Sequence, residues 1–315
     1  RGEDLSMAGF RLGAIEASVA SEDLAWRRGP GGGLTGAVRT SLNAQDVTSG
    51  DLALDRASAN LDGTAAYDAE GLSLNVSGSV AAAGGWAGLG AATSDDFAEL
   101  AAIKRAAADF SLAAPGVRLA LGEGGLQVGL TQAAAVRTES GGLVRISPRP
   151  EAPLYGGDGG ALNISTAGGG LPRIEAQVTG YSLDGGRLNA TTRLAFETDF
   201  GPLRGMKGEA RGRLNLANGR MTFLANACAP FQMARLETGE TSVVDIEAEL
   251  CPTDQPLVVV EGGQWALNTT ARGASAEIPF LQARASDAGA DLRLGTNRGG
   301  LFAPRASAKF ARPSI

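Results

Sequence analysis

"LSLNVSGSV" at 72–80 sets Leu72, Leu74, Val76 and Val80 on one side of an extended chain and Ser73, Asn75 and Ser77 on the other. A period of two marks a strand with one apolar and one wet face. The same pattern returns in "VRLAL" at 117–121, "LQVGL" at 126–130, "ALNIST" at 161–166 and "RIEAQVTG" at 173–180. It continues in "GRLNATTRLAFETDF" at 186–200, "ARGRLNLANGRMTFLA" at 210–225 and "TSVVDIEAEL" at 241–250. Between these runs sit "AEG" at 69–71, "GEGG" at 122–125, "SGG" at 140–142, "DGG" at 184–186 and "ANG" at 217–219, which carry the turn chemistry of hairpins. Short loops join antiparallel neighbours, so the chain reads as mostly β, a long meander of roughly 18 to 22 strands.

Composition narrows the function. Glycine, at 46 of 315 residues, favours turns over helix, and much of the 43% hydrophobic fraction is alanine, with only 10 Phe, 3 Trp and 3 Tyr. A net charge of -6 offers no basic field for a phosphate backbone, which argues against nucleic acid as a partner. Histidine is absent, which removes the Ser-His-Asp and Cys-His arrangements and the common imidazole metal ligands. No catalytic, metal or cofactor residues are assigned, and a non-enzymatic role is expected. The glycine runs at 31–33 and 168–170 lack the form of a phosphate loop. No stretch is apolar for long enough to span a membrane as a helix. The chain begins "RGEDLSMAGF", in mid-pattern, which reads as a piece cut from a longer polypeptide.

One segment departs from the meander. "TSDDFAELAAIKRAAADF" at 93–110 offers Thr93 or Ser94 as a cap, Asp95 and Asp96 in a first turn, and Phe97, Leu100, Ile103, Ala107 and Phe110 at helical spacing. It predicts one amphipathic helix over 94–110 that packs on a sheet. "RRGPGGG" at 27–33 reads as a surface turn, and the Pro/Gly-rich stretch 148–160 as a connection. That divides the chain into an N-terminal β segment, 1–147, which includes the helix, and a C-terminal one, 161–315.

An antiparallel sheet with one apolar face must hide it against a second sheet, in a closed barrel, or against something that is not protein. A curled sheet whose apolar face lines a channel would take acyl chains, each buried CH₂ being worth about 0.8 kcal/mol. The alternative is a structural or adhesin-like β scaffold with a filled core that acts through its surface loops.

Cys228 and Cys251, the only cysteines, bracket "GRMTFLANACAPFQMARLETGETSVVDIEAELCP" at 219–252. Strands over Arg220–Leu224 and Val243–Leu250 lie on either side of a connecting segment that carries "LETGETS". The pair reads as a structural disulfide, which implies an oxidising compartment, the alternatives being buried free thiols and metal or redox chemistry.

This bracketed half-chain, together with "DLALDRASANLDGTAAYDAEGLSLNVSGSV" at 51–80, resembles the AsmA-like proteins of didermal bacteria, in particular their YdbH branch. The resemblance implies a U-shaped, taco-like β groove in the periplasm that carries phospholipid or another acyl-chain ligand between the inner and outer membranes. It also implies an inner-membrane anchor outside this chain. The implied partners are the remaining segments of the same polypeptide and envelope proteins at either membrane. The groove-lining residues it implies are Leu72, Leu74, Val76, Leu188, Leu194, Phe196, Leu214, Leu216 and Phe223. About twenty strands spaced by ~4.8 Å would make a groove near 100 Å long.

Overall fold

A computed structural model describes residues 2–7, 10–26, 32–69, 71–94, 96–122, 125–149, 160–184, 187–217, 219–262, 264–295, 298–302 and 306–311. The chain is mostly β and antiparallel, with a single α-helix among the described residues. It divides into two compact units, Arg1–Ala87 with Ala106–Asn163, and Gly88–Arg105 with Ile164–Ile315.

The first unit holds β1 (Gly2–Met7), β2 (Phe10–Trp26), β3 (Leu34–Ser49), β4 (Leu52–Asp68) and β5 (Gly71–Trp86). After α1 (Ala98–Ala108) come β6 (Phe110–Gly122), β7 (Gly125–Leu130), β8 (Ala134–Thr138) and β9 (Leu143–Pro148). Strands β1 to β6 pair in chain order. Beyond β6 the next row is shared by two short strands, β7 against its Val117–Gly122 half and β8 against Phe110–Ala113, and β9 pairs with β8. A small core forms where this row splits: Ala114, Val117 and Ala134 are buried, with Val80, Leu112, Leu119, Leu130 and Ile146 against them.

Strand β10 (Leu162–Ala167) leads to β11 (Arg173–Asp184), β12 (Arg187–Phe200), β13 (Leu203–Ala217), β14 (Arg220–Ala225), β15 (Ala229–Thr238) and β16 (Thr241–Cys251). They are followed by β17 (Val258–Glu261), β18 (Gln264–Ile278), β19 (Ala283–Gly295), β20 (Arg298–Phe302) and β21 (Ala306–Ala311). In the second unit β11, β12 and β13 pair in order, and then the sheet forks. Strand β14 takes the Gly212–Ala217 half of β13 and β15 takes Leu203–Gly208. Strands β17 and β16 continue the two arms, and both rejoin on β18, which pairs in turn with β19.

The predicted turns all fall between paired strands, at Asp68↔Gly71, Gly122↔Gly125, Arg137↔Leu143, Asp184↔Arg187 and Ala217↔Arg220. Three expectations need correction. The segment after Cys228 is not a mere connection: it is β15, whose opening Pro230 and weak alternation hid a strand. Counting every strand as a step along the sheet also overestimates its length, because collinear pairs such as β14 with β15 share one row. The helix is shorter than 94–110, covering Ala98–Ala108, and buries Ala101 and Ala102 instead of a stripe centred on Phe97 and Ile103; Phe110 belongs to β6. Asp95, residues 27–31 of the glycine-rich turn and residues 150–159 of the connection lie outside the described residues. Gly88–Arg105, with most of α1, groups with the second unit.

Long strands such as β4, with 17 residues, do not run straight. Register shifts interrupt the ladders at Glu22/Ala25, Leu54/Arg56, Gly78/Val80, Val178/Gly180 and Thr198/Phe200. Asp23, Asp46, Asp245 and Asp287 take left-handed backbone with φ of 51–56° inside or beside strands, as do Gly205 and Gly273. Each extra or left-handed residue bends its strand and sharpens its twist. At Gly205, where φ is 62°, the amide donates to Asp199 Oδ1 at 2.6 Å, and an added Cβ would fall 2.8 Å from Ala234 Cβ.

Gly205→Val should therefore lower stability by about 2 to 3 kcal/mol through backbone strain and collision. Gly180→Ala, where no atom lies within 4 Å of an added Cβ, should stay within about 0.5 kcal/mol of the parent. Urea midpoints of the two variants check this contrast.

Candidate functional site

Cross-strand register assembles the apolar face. In the second unit Leu188, Leu216, Met221, Val260 and Trp265 stand opposite one another in successive strands, and Ala190, Leu214, Phe223, Val258, Leu267 and Leu294 form the next row. Leu194 faces Ala210 and Phe196 faces Gly208, whose missing side chain leaves room for the Phe196 ring. All six candidates from this half, Leu188, Leu194, Phe196, Leu214, Leu216 and Phe223, thus share one face. In the first unit Leu74 lies between Ala65 and Leu121, Val76 between Gly63 and Leu119, and Leu72 opposite Tyr67.

These residues differ in cover. Val76 and Phe223 are buried, at 2% and 5% exposure; Leu74, Leu188, Leu194, Phe196, Leu214 and Leu216 are half-buried; Leu72 is 56% exposed. Leu72 belongs to an exposed row with Trp26, Leu34 and Tyr67, each directly opposite the next at the ends of β2 to β5. Among the described Leu, Ile, Met, Phe and Trp side chains, only Leu61, Phe223 and Met233 are buried. A close-packed core would bury far more of them.

The opposite face is wet. Arg39 bonds Asp62 at 2.8 Å, Lys207 meets Glu197 at 3.0 Å and Arg193 meets Glu209 at 2.8 Å, all exposed pairs between neighbouring strands that add little to stability. Two cavities of about 480 and 450 Å³ are lined largely from this polar side, one around Glu261, Gln264 and Arg293 and the other around Glu175, Glu197 and Lys207. Sequence reasoning missed Thr192. It is buried on the apolar face opposite Gly212, and its hydroxyl has no hydrogen-bond partner among the described residues.

The cysteines form a disulfide with a Cα separation of 4.0 Å. They extend the β15–β16 ladder by one position beyond Ala229↔Leu250, so the bridge spans directly paired strands at the point where the sheet forks. Cys251 is buried, and its carbonyl accepts from Thr269 Oγ1 at 2.9 Å, Thr269 being 1% exposed. Pro252–Leu257 loops out between the rejoining arms and is closed by the Asn268 amide, which donates to the Leu257 carbonyl at 2.9 Å.

The helix is fixed within the second unit. Lys104 Nζ bonds Asp96 at 2.8 Å with both side chains largely covered, and the Thr93 amide donates to the same carboxylate at 2.7 Å. Asp96 is therefore not a first-turn partner of the helix dipole, as the sequence suggested, but the acceptor that ties the helix to its approach. These bonds, Lys104 first, hold the Asp96 carboxyl below the usual range. Glu99 accepts from the Gly201 amide at 3.3 Å and lies 3.8 Å from Arg204. Phe97 meets Phe200 edge to face, and Phe200 meets Trp265 in the same way, each with ring centroids 5.6 Å apart.

That last contact measures the curl of the second unit. Through the ladder Trp265–Val260–Met221–Leu216, Trp265 aligns with Leu188 on β12, twelve residues from Phe200. In a flat sheet the two rings would lie roughly 40 Å apart at ~3.3 Å per residue. They touch, so the strands bend until opposite ends of the apolar face meet.

Among the described residues no group of three or more His, Cys, Asp and Glu could hold a metal, and no helix is long and apolar enough to cross a membrane. No family model, curated protein or solved structure matches the chain.

Replacing both cysteines by alanine should cost about 3 to 4 kcal/mol, the loop-closure entropy of the 24-residue ring; equal urea midpoints for the oxidised parent and the variant would contradict this. Asp96 gives a pH test. Its depressed folded-state value means that the stabilisation is complete above about pH 4 and is lost as pH falls through the folded value. Amide-exchange protection factors in α1, which are taken relative to the intrinsic exchange rate at each pH, should fall on acidification in the parent. In Asp96→Asn they should already be low at neutral pH and respond less.

Proposed function

We propose that this chain is a segment of a phospholipid conduit in the bacterial periplasm, of the AsmA-like, YdbH-type class. It would carry acyl chains along the apolar face of its curled sheet without catalysing a reaction. The observation that carries the reading is the continuity of the apolar rows from β11 to β19, coupled to a face that stays half-buried instead of closing on a packed core. A solid scaffold would have to fill that face with side chains, whereas acyl chains need only a continuous greasy surface. The wet face, with its cross-strand ion pairs, keeps the outside hydrated. A disulfide between paired strands suits an oxidising compartment. The remaining segments of the polypeptide and envelope proteins at either membrane are the partners this role calls for.

The test is native mass spectrometry, with organic extraction, of protein purified from a bacterial periplasm without detergent. Stoichiometric phospholipid is expected. Leu214→Asp, which places a carboxylate between Ala190 and Phe223, should reduce the bound lipid at least several-fold while the β signal in circular dichroism persists. A lipid-free parent, or an unfolded Leu214→Asp, would favour the filled scaffold.

A further inference from the structure

Resting on the lipid-conduit reading, we propose that Phe97, Phe200 and Trp265 form a clasp that parts to admit acyl chains to the apolar face of the second unit and closes behind them. The three rings join points that the strand register keeps far apart. Phe200 ends β12, and Trp265 lies beside the β17–β18 turn at the opposite end of the strands. Both lie on the apolar side, by alternation with Phe196 and Leu267 respectively. Their edge-to-face contact therefore closes the curl across its mouth.

One side of the seam is anchored. Phe97 opens α1, which is held by the Lys104–Asp96 pair, by Glu99 on the Gly201 amide and by Ala102 against Gly170. Arg204 ties the same corner to Glu99, Asp199 and Glu237, at 3.4 to 4.0 Å. These polar contacts all lie beside Phe200, so the anchored group is the Phe97–Phe200 edge, and the contact that spans the mouth is Phe200 against Trp265. A seam of rings can part without stripping a buried ion of its partner, and an acyl chain replaces the contact it displaces. An ion-pair seam would have to open against desolvation each time. Phe97, 47% exposed, places the clasp at the surface where a chain would arrive.

The experiment uses Phe200→Cys/Trp265→Cys, whose new thiols can be joined by a short bis-maleimide while Cys228 and Cys251 stay in their disulfide. The probe is a phosphatidylethanolamine with a fluorescent acyl chain, offered in vesicles. Joining the thiols should slow loading about ten-fold or more relative to the unjoined variant, and Phe200→Ala/Trp265→Ala should load faster than the parent. Circular dichroism confirms that each variant is folded. Equal loading of joined and unjoined protein would overturn the clasp while leaving the conduit intact. Failure of the thiols to join in folded protein would overturn its geometry. Absence of loading in every variant, the parent included, would overturn the conduit and the clasp with it.

Discussion

An apolar sheet face left in water is the constraint around which this molecule is organised. Strands of up to 17 residues present a row of Leu, Val, Phe and Ala on one side and Ser, Asn, Asp and Arg on the other. Covering the apolar side with a second sheet would need bulky side chains to fill the gap, and among the described residues alanine makes up ten of the buried hydrophobic ones. In the second unit the sheet instead bends on itself. Left-handed Asp and Gly residues and register shifts supply the bends, and in the second unit the bending carries Phe200 to Trp265.

Bending has a cost in the ladder, and the fork in the second unit is where it is concentrated. Between Gly212↔Ala225 and Gly208↔Phe231 the β13 strand has three residues against five on its partner. The next row carries a larger excess, Pro252–Leu257, where it meets β18. Two adjacent interruptions would leave a row of unpaired backbone groups. The Asn226 amide on the Arg211 carbonyl, Thr269 on the Cys251 carbonyl and Asn268 on Leu257 take up some of them. The disulfide joins β15 to β16 at this shared weak point, at the end of their hairpin remote from its turn.

Much of this was legible in the residues. Alternation in 72–80, 186–200 and 210–225 marked strands and glycine-rich triplets marked the hairpins, but only the cross-strand register puts Leu188, Leu214 and Phe223 on one face. What was not legible depended on contacts distant in sequence. Asp46, Asp245 and Asp287 look like ordinary wet-face residues until their backbone is seen to be left-handed. Strand β15 was hidden because Pro230 and a mixed composition mask its period, and its identity rests on pairing with β13 and β16. The ring trio was invisible for the same reason: Phe97, Phe200 and Trp265 are far apart in the chain and become neighbours only when the sheet curls.

The register also sets glycines against larger residues on the apolar face. Leu61 stands opposite Gly78, Val76 opposite Gly63, Thr192 opposite Gly212 and Phe196 opposite Gly208, while Leu188 with Leu216 and Phe223 with Val258 set two large residues face to face. Added methyl groups at Gly63, Gly78 and Gly212 would fall 1.9 to 2.1 Å from the carbonyl of a neighbouring strand, so these sites admit nothing larger than glycine without local movement. Where the pairing instead brings Leu214 to Phe223, the partner on the other side of Leu214 is Ala190. On the proposed conduit reading, a continuous apolar face of this kind would suit sliding chains better than it would select among them. On that same reading, selectivity would have to come from whatever controls entry, which would give the junction of strand ends at Phe200 and Trp265 more weight than any residue deeper on the face.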